Sequence, residues 1–483
     1  MNKLLNAMIA DNNYTTTENG ALTHKSTLNA VYDMFAFGGA MRHRSDIDII
    51  NIFKNAYLEN PTYALKCLFY LRDVRGGQGE RRFFRICMHW LAKEYPNSAL
   101  NNLHLIAEYG RWDDLYCFID TPIETNMFAL LRKQFVLDCN SKTPSLLGKW
   151  LKSENTSSKE SRKLGRKTRI AFGLTSKAYR KDLAMLRTRI NIVEKLMSEN
   201  RWDEIEFDKI PSGAGLKYTN AFARRDIQRY KEFMNSKETK VNAGTLYPYQ
   251  VVEKALNNRN KSFDDTERLA VNKYWDNLTD YFNNATFNAL CVVDTSASMR
   301  GMPLNVAISL GMYCAERGRG PFADHYIAFS RTPRLVSIQG VDFVDKVTRI
   351  YNANLCENTN IEATFNMILD TLIKNNCTKE DLPENLIIIS DMEFDRQRDD
   401  YYTDINTLME NMEKKWLTHG YVLPHLIYWN VDARQENIPM KDNGKVTYVS
   451  GCSPVLFDSL MSGKTSIDLM YEKLNSDRYK DIV

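Results

Sequence analysis

The feature that most limits what this chain can fold into is a change of pattern near residue 283. Before that point apolar residues recur at spacings of three and four, and no run alternates with the period of two that half-buried strands show. The spacing predicts helices over 63–70, 82–94, 100–109, 127–138 and 177–200. Helices joined by short Gly-, Pro- or Asn-containing turns over such a length suit a bundle or an α-solenoid of stacked pairs. After residue 283 short apolar runs alternate with helical segments. Strands are expected at 287–293, 324–329, 334–338, 385–390, 424–430 and 446–450, and helices at 303–316, 361–375, 403–418 and 453–461. That alternation implies βαβ crossovers and a mostly parallel sheet covered on both faces. The expected class is therefore α plus α/β: an all-helical part over 1–282, then an α/β part over 283–483. The polar segment 257–284 is the expected hinge between them.

Charge separates the same two parts. The whole chain of 483 residues carries 64 Lys+Arg and 60 Asp+Glu, a net of +4 that says little about partners. Residues 1–282 hold 44 basic and 33 acidic side chains, a net of +11, whereas 283–483 hold 20 and 27, a net of −7. A basic module suited to an anion thus precedes an acidic one. The 43% hydrophobic and 26% charged content excludes a disordered or fibrous chain. No run approaches 18 uninterrupted apolar residues, which argues against a transmembrane helix. The amino-terminal apolar run is too short for a signal peptide. Nine cysteines without a C-x-x-C pair fit reduced thiols rather than a disulfide framework or a zinc site. A cytoplasmic protein is expected.

The residues that follow the first expected strand carry the most chemistry: Asp294-Thr295-Ser296-Ala297-Ser298-Met299. In an open α/β sheet, ligands bind where strands end and the strand order reverses. An Asp and two Ser hydroxyls at alternate positions can converge there, and hard oxygen donors suit Mg²⁺ or another divalent cation such as Mn²⁺ or Ca²⁺. Thr359, just before the helix at 361–375, and Asp391, directly after the strand at 385–390, are two further donors. The set resembles the metal-ion-dependent adhesion site of the von Willebrand factor A domain. That resemblance assigns Asp294, Ser296 and Ser298 to its first loop, Thr359 to the second and Asp391 to the third. The competing reading makes Ser296, Ser298 and Thr359 helix caps and Asp391 a turn former, with Glu393 and Asp395 as rivals for its role. No nucleophile with an adjacent base is evident, so binding is expected rather than catalysis. A site of this kind leaves one position for an acidic residue of a protein partner. A metal-dependent nuclease or phosphatase using Asp294 and Asp391 ranks last, because Ser and Thr stand where two-metal catalysis uses carboxylates.

The positive surplus of the first part is local. Residues 142–189 hold 14 Lys+Arg against 3 Asp+Glu, again a net of +11. The run containing Arg162, Lys163, Arg166, Lys167 and Arg169 is flexible in character and leads into a helix that Thr175 or Ser176 can cap. In that helix Leu183, Leu186, Ile190, Val193 and Met197 form one stripe, with Lys177, Arg180, Lys181 and Arg187 on the other side. A basic face opposite an apolar stripe is the footprint of phosphate-backbone contact, and Tyr179 and Trp202 are placed to stack on unpaired bases. An ordinary solvated face is the alternative. The Gly-rich stretch 73–82 lacks the preceding strand and the Gly-Lys-Ser/Thr ending of a P-loop. Its Arg75, Arg81 and Arg82 are expected to meet RNA or buried carboxylates.

Several stretches together resemble the Ro ribonucleoprotein family, and within it an uncharacterised branch found in phages, large viruses, plants and bacteria. They are Thr17-Glu-Asn-Gly-Ala21, Arg72-Asp-Val-Arg-Gly-Gly-Gln-Gly-Glu80, Tyr109-Gly-Arg-Trp-Asp-Asp114, Leu174-Thr-Ser-Lys-Ala-Tyr-Arg180, Asn200-Arg-Trp-Asp203, Pro211-Ser-Gly-Ala214 and Ser390-Asp-Met-Glu-Phe-Asp395. The resemblance implies a TROVE module of HEAT-like helical repeats followed by a Rossmann-like von Willebrand factor A domain. It also implies a scaffold that binds small non-coding or structured RNA on its basic helical surface, without a membrane and, were the source a virus, in the host cytoplasm. The alternative from a different class is a metal-dependent protein-interaction scaffold with no nucleic acid.

Overall fold

A computed structural model of the chain describes residues 8, 12–257, 264–329, 332–353, 360–396, 407–442 and 444–483. Its principal helices before the sheet are α1 (Ala30–Gly38), α2 (Asp46–Glu59), α3 (Pro61–Arg72), α4 (Arg81–Glu94), α5 (Glu124–Asn140), α6 (Lys159–Ala171), α7 (Ser176–Arg189), α8 (Pro248–Asn257) and α9 (Asp265–Asp276). Their starts are written locally: Asn29, Ser45, Asn60, Ser158 and Thr175 each accept the backbone N–H three residues on.

Three expectations for this part need correction. The helix expected over 100–109 is divided into the short turns Pro96–Asn101, Leu103–Leu105 and Ile106–Tyr109. The helix expected over 177–200 stops at Arg189; Asn191 takes a left-handed conformation (φ 53°) and a new helix runs Val193–Ser198. Asn tolerates that conformation better than most residues, so the break is inexpensive. Leu183, Leu186 and Val193 are buried, but Ile190 and Met197 are only half-buried and lie on no continuous stripe. The basic run 159–169 is the body of α6 rather than a flexible segment. Gly165 lets it lie against the backbone of residues 153–154, where a Cβ would stand 2.7 Å from the Ser153 carbonyl carbon.

The sheet comprises β3 (Ala289–Asp294), β4 (His325–Phe329), β5 (Arg334–Ser337), β6 (Asn385–Ser390), β7 (His425–Asn430) and β8 (Val446–Ser450), numbered after a separate hairpin of β1 (Tyr14–Thr16) and β2 (Leu22–His24). The order is β5-β4-β3-β6-β7-β8, with only the β4–β5 pair antiparallel. Helices α10 (Met302–Arg317), α11 (Phe343–Ala353), α12 (Ile361–Lys374), α13 (Leu408–Thr418) and α14 (Ser466–Leu474) accompany it. The central strands β3 and β6 are buried along their whole lengths. The strand order reverses between these two, so their carboxyl ends face the crevice where such sheets hold ligands. The apolar runs located the strands to within about two residues, whereas α11, α14 and the hairpin went unseen.

The described part of the segment expected as a hinge, residues 264–284, is packed into the fold. Within it α9 packs on α8 and α11, Arg268 grips Asp342 with two bonds of 2.7 Å, and Trp275 stacks on Phe343 with ring centres 4.2 Å apart. Both ends of the chain then cross to the other half. The hairpin lies on the sheet part through His24 N–H to Ile438 O (3.0 Å) and Thr23 Oγ1 to Ile438 O (2.8 Å). Tyr32 Oη of α1 both donates to Tyr448 O and accepts from Tyr448 N–H. In return Arg478 pairs with Asp73, Tyr479 Oη donates to Asp73 (3.0 Å), and Tyr109 Oη donates to Arg478 O. The helical and sheet parts share one core.

Candidate metal centre and candidate nucleic-acid interface

At the carboxyl end of β3, Asp294 Oδ1 accepts the N–H of Ser296 (2.9 Å) and Oδ2 accepts the hydroxyl of Ser390 (2.6 Å). Ser296 Oγ and Ser298 Oγ are 2.9 Å apart. Ser296 precedes a short turn of helix without capping it through its side chain, and Asn360, not Thr359, caps α12 by accepting from Ala363 N–H. Helix capping thus leaves both serine hydroxyls unexplained. Thr359 itself lies outside the described residues. Asp391, directly after β6, accepts the N–H of Glu393 on Oδ1 (3.2 Å), while its Oδ2 is buried without a hydrogen-bond partner.

The electrostatics of the pocket follow from its burial. Burial, then the charge of Asp391, pushes the Asp294 carboxyl up to about 7. Burial also raises Asp391, against the Ser298 hydroxyl, the Glu393 N–H and Arg434. Two buried carboxylates, a carboxylate oxygen without a hydrogen-bond donor and two serine hydroxyls thus gather hard-oxygen donors at one place. Among the described residues no three His, Cys, Asp or Glu side chains gather around a metal position, so any cation here would depend on the hydroxyls. Of the rivals of Asp391, Glu393 is otherwise engaged, accepting Glu18 N–H (2.6 Å) and Asn437 Nδ2 (2.9 Å), and the backbone of Asp395 pairs with Gly20 of the hairpin turn. Ser390 and Arg434 escaped sequence reasoning. Ser390 abuts Asp391 in a way an apolar strand pattern hides, and Arg434 sits in a loop with no motif.

The basic stretch forms a groove of about 700 Å³ between α6 and α7, closed on one side by residues 153–155. Lys159, Arg162, Lys163 and Arg166 line it from α6, at spacings that put them on one helical face, and Arg180 lines it from α7. The acid on its wall, Glu154, is bound by Arg169 (2.8 Å), and that bond holds its carboxyl below the usual range. Arg162, Lys163, Arg166 and Arg180 are exposed and form no ion pair among the described residues.

Several expected contacts fall elsewhere. Lys167 is taken by Asp120 (2.9 Å) and Glu124 (3.1 Å), and Arg169 by Glu154 and the Leu174 carbonyl. Lys177 and Lys181 are exposed on α7 but outside the groove lining. Arg187 does line the groove, but its guanidinium is taken up by Gly148 O, Leu151 O and Ser153 Oγ. Tyr179 is no stacking platform: its ring is buried under the groove and its hydroxyl donates to Lys152 O (2.8 Å). Trp202, half-buried, packs on Phe222 and donates to Asn200 Oδ1 away from the lining. Lys159, the first residue of the same basic run, joins the lining, and its spacing to Arg162, Lys163 and Arg166 marks the same face.

The Gly-rich loop between α3 and α4 is a structural clamp. Asp73 accepts Arg75 N–H (2.9 Å) besides Arg478 and Tyr479, Gln78 Nε2 donates to Tyr70 Oη (2.7 Å), and Glu80 pairs with Arg42 (2.8 Å). Arg75 reaches the Glu108 carbonyl, and Arg82 the Arg44 carbonyl and the exposed Asp46. Arg81 stays largely exposed; partial desolvation by its surroundings and the nearby guanidiniums of Arg111, Arg85 and Arg72 pull it below the usual range. None of the three joins the groove. The buried carboxylates in this region are met by other arginines: Asp114 by Arg72 (2.6 Å) and Arg85 (2.7 Å), Asp113 by Arg111 (2.8 Å), Asp73 by Arg478 and Glu80 by Arg42.

Comparison with known proteins places the chain among relatives of undescribed activity. The family model described as "Domain of unknown function (DUF2828)" matches residues 17–169 and 134–286, and "Domain of unknown function (DUF7788)" matches 288–481. The chain is 28% identical to "Uncharacterized protein L728" of Acanthamoeba polyphaga mimivirus, over 94% of this chain and 85% of that protein. Its fold resembles the crystal structure of the Deinococcus radiodurans RO (RSR) protein with a TM-score of 0.52 and 12% identity, covering 91% of this chain and all of that one. That likeness is one of fold: a helical part followed by an α/β part with a mixed sheet.

Proposed function

The chain belongs to the family described as "Domain of unknown function (DUF2828)", and on that premise we propose that it is an RNA-binding scaffold of Ro type. In this reading the helical part is a TROVE-like array that holds RNA, and the α/β part is a von Willebrand factor A-like domain that holds a protein partner. The observation that carries it is the groove: six cations on its wall, five of them besides Arg187, which is tied to Gly148, Leu151 and Ser153, with one acid that Arg169 already neutralises. Unpaired cations in a concave site repel one another and are retained there at a cost that a polyanion removes. Phosphates lose condensed counterions on entering such a groove, which favours binding and makes it salt-sensitive. The resemblance to Ro supports RNA as the polyanion.

The supporting role falls to the carboxylate pair. Asp294, Ser296, Ser298 and Asp391, with Thr359, would hold Mg²⁺, and the ion would offer a Lewis-acid position to an acidic side chain of a protein. Binding rather than turnover is the reading, since serines stand where two-metal enzymes place carboxylates. Among the described residues no helix is long and apolar enough to cross a membrane.

The test replaces Arg162, Lys163, Arg166 and Arg180 together by Glu and follows fluorescence anisotropy of a labelled single-stranded RNA over a range of salt. Loss of binding is expected, and unchanged affinity overturns the proposal. The second reading, a metal-dependent protein scaffold without nucleic acid, rests on the orphaned Asp391 Oδ2. It is separated by the ratio of absorbance at 260 and 280 nm of freshly purified protein, which stays at the protein value if no nucleic acid travels with it.

A further inference from the structure

Arg434 enters the metal centre from the loop after β7. Its Nη2 donates to the Ser298 carbonyl and stands 3.7 Å from the buried Asp391 Oδ2, and Nε is 3.7 Å from Asp432 Oδ2. Its Nη1 is 3.3 Å from Glu18 Oε2. Glu18 sits in the turn between β1 and β2, and that turn is stitched to the loop following Asp391. Glu18 N–H donates to Glu393 Oε2 (2.6 Å), Asn19 Nδ2 to Glu393 O (2.6 Å), Thr17 Oγ1 to Phe394 O (2.7 Å), and Arg396 N–H to Asn19 O (3.1 Å). A guanidinium thus lies over the carboxylate that most lacks a partner, and a carboxylate from the far end of the chain holds it there.

We propose that Arg434, anchored by Glu18, is a resident latch on the metal centre, antagonistic to the divalent cation. This rests on the reading of Asp294, Ser296, Ser298 and Asp391 as a metal site. The geometry supplies the reason. With no cation bound, the guanidinium is the nearest positive charge to Asp391 and offsets part of the repulsion between two buried carboxylates. When a divalent cation binds beside Asp391, that guanidinium becomes a like charge a few ångströms away, in surroundings that screen poorly. Loading therefore favours an Arg434 that has left Asp391 and turned toward an incoming acidic side chain. A partner carboxylate would then find two cations at once, the metal and the displaced arginine. The latch makes the site selective for anionic partners and sparing of metal without them.

The experiment is titration of the full chain with Mn²⁺ by isothermal calorimetry, for the native sequence, Arg434→Gln, Arg434→Lys and Asp294→Ala, with melting temperatures in chelator recorded in parallel. The latch predicts that Arg434→Gln binds Mn²⁺ about tenfold tighter and melts lower in chelator, while Arg434→Lys, which keeps the charge, stays near the native affinity. Native binding that Asp294→Ala abolishes but Arg434→Gln leaves unchanged or weakens overturns the latch and leaves the metal site standing. Binding absent from both the native chain and Arg434→Gln overturns both. Binding that appears only in Arg434→Gln and vanishes when Asp294→Ala is added supports the latch in its strongest form.

Discussion

The groove between α6 and α7 and the crevice at the ends of β3 and β6 are opposites in charge and in solvation. The groove gathers cations in the open, where water screens them and a face of one helix is enough to align them. The crevice gathers anions out of water, where each needs an individual partner and one oxygen has no hydrogen-bond donor, only a guanidinium 3.7 Å away. An exposed surplus can be built from local sequence alone, because nothing need pack against it. A buried surplus must be assembled from distant loops and held, and here the amino-terminal hairpin helps to hold it.

The first way to break this contrast is the fourfold charge reversal in the groove, which has the largest expected effect. Four phosphate contacts correspond to a log–log salt slope of roughly 3 for a single strand, so reversal should cost more than about a hundredfold in affinity at moderate salt. Mn²⁺ binding at the crevice should not change; a parallel loss there would show that the two regions are not independent in charge.

The second perturbs the strap instead. Burial opposes ionisation of Glu410, yet hydrogen bonds from His24 and from the backbone N–H groups of Thr407 and Lys441 outweigh it and bring the carboxyl down to about 2. A carboxyl depressed by folding stabilises the fold fully above its ordinary value near 4.5, and that contribution disappears as pH falls toward 2. Glu410→Gln should therefore lower stability by about 2 kcal/mol at pH 7, and by much less at pH 3, in urea unfolding of the full chain. RNA affinity should stay as it was. Equal losses at both pH values would remove the charge from this account of how the hairpin is held.

The third separates neighbours. Lys163→Gln should weaken RNA binding severalfold and Lys167→Gln should not, because Lys167 already serves Asp120 and Glu124. Equal effects in anisotropy would deny that the groove, rather than general charge, does the binding. The smallest change is Tyr179→Phe, which loses the hydroxyl bond to Lys152 O and about 1 kcal/mol of stability, read from thermal unfolding. It should leave RNA affinity intact; a loss there would restore the ring as a stacking surface.

These contrasts also explain what the amino-acid order discloses. The run Leu386 to Ser390 announces a central strand because both of its faces are apolar, and Asp391 inherits its position from that strand. The cation-rich stretch announces a surface because charge of one sign cannot be buried. The fate of each cation was not legible: Arg187 and Arg166 are alike in type, yet one is consumed by three acceptors on residues 148–153 and the other is free to meet a ligand. Partners so distant in sequence leave no local trace. The same holds for Glu18 and Arg434, separated by 416 positions, and for strands of three residues, too short for any alternation to register.

The crossing of the chain ends bears on how the two binding regions share free energy. Because the hairpin closes the sheet part and Arg478 and Tyr479 close the helical part, neither half can open alone and keep its core covered. Heat should be absorbed in one cooperative transition, and whatever occupies one half protects the other, with the strength of that protection set by concentration over dissociation constant. The two regions would then be coupled without any relay of moving side chains between them, through the cost of opening that they hold in common.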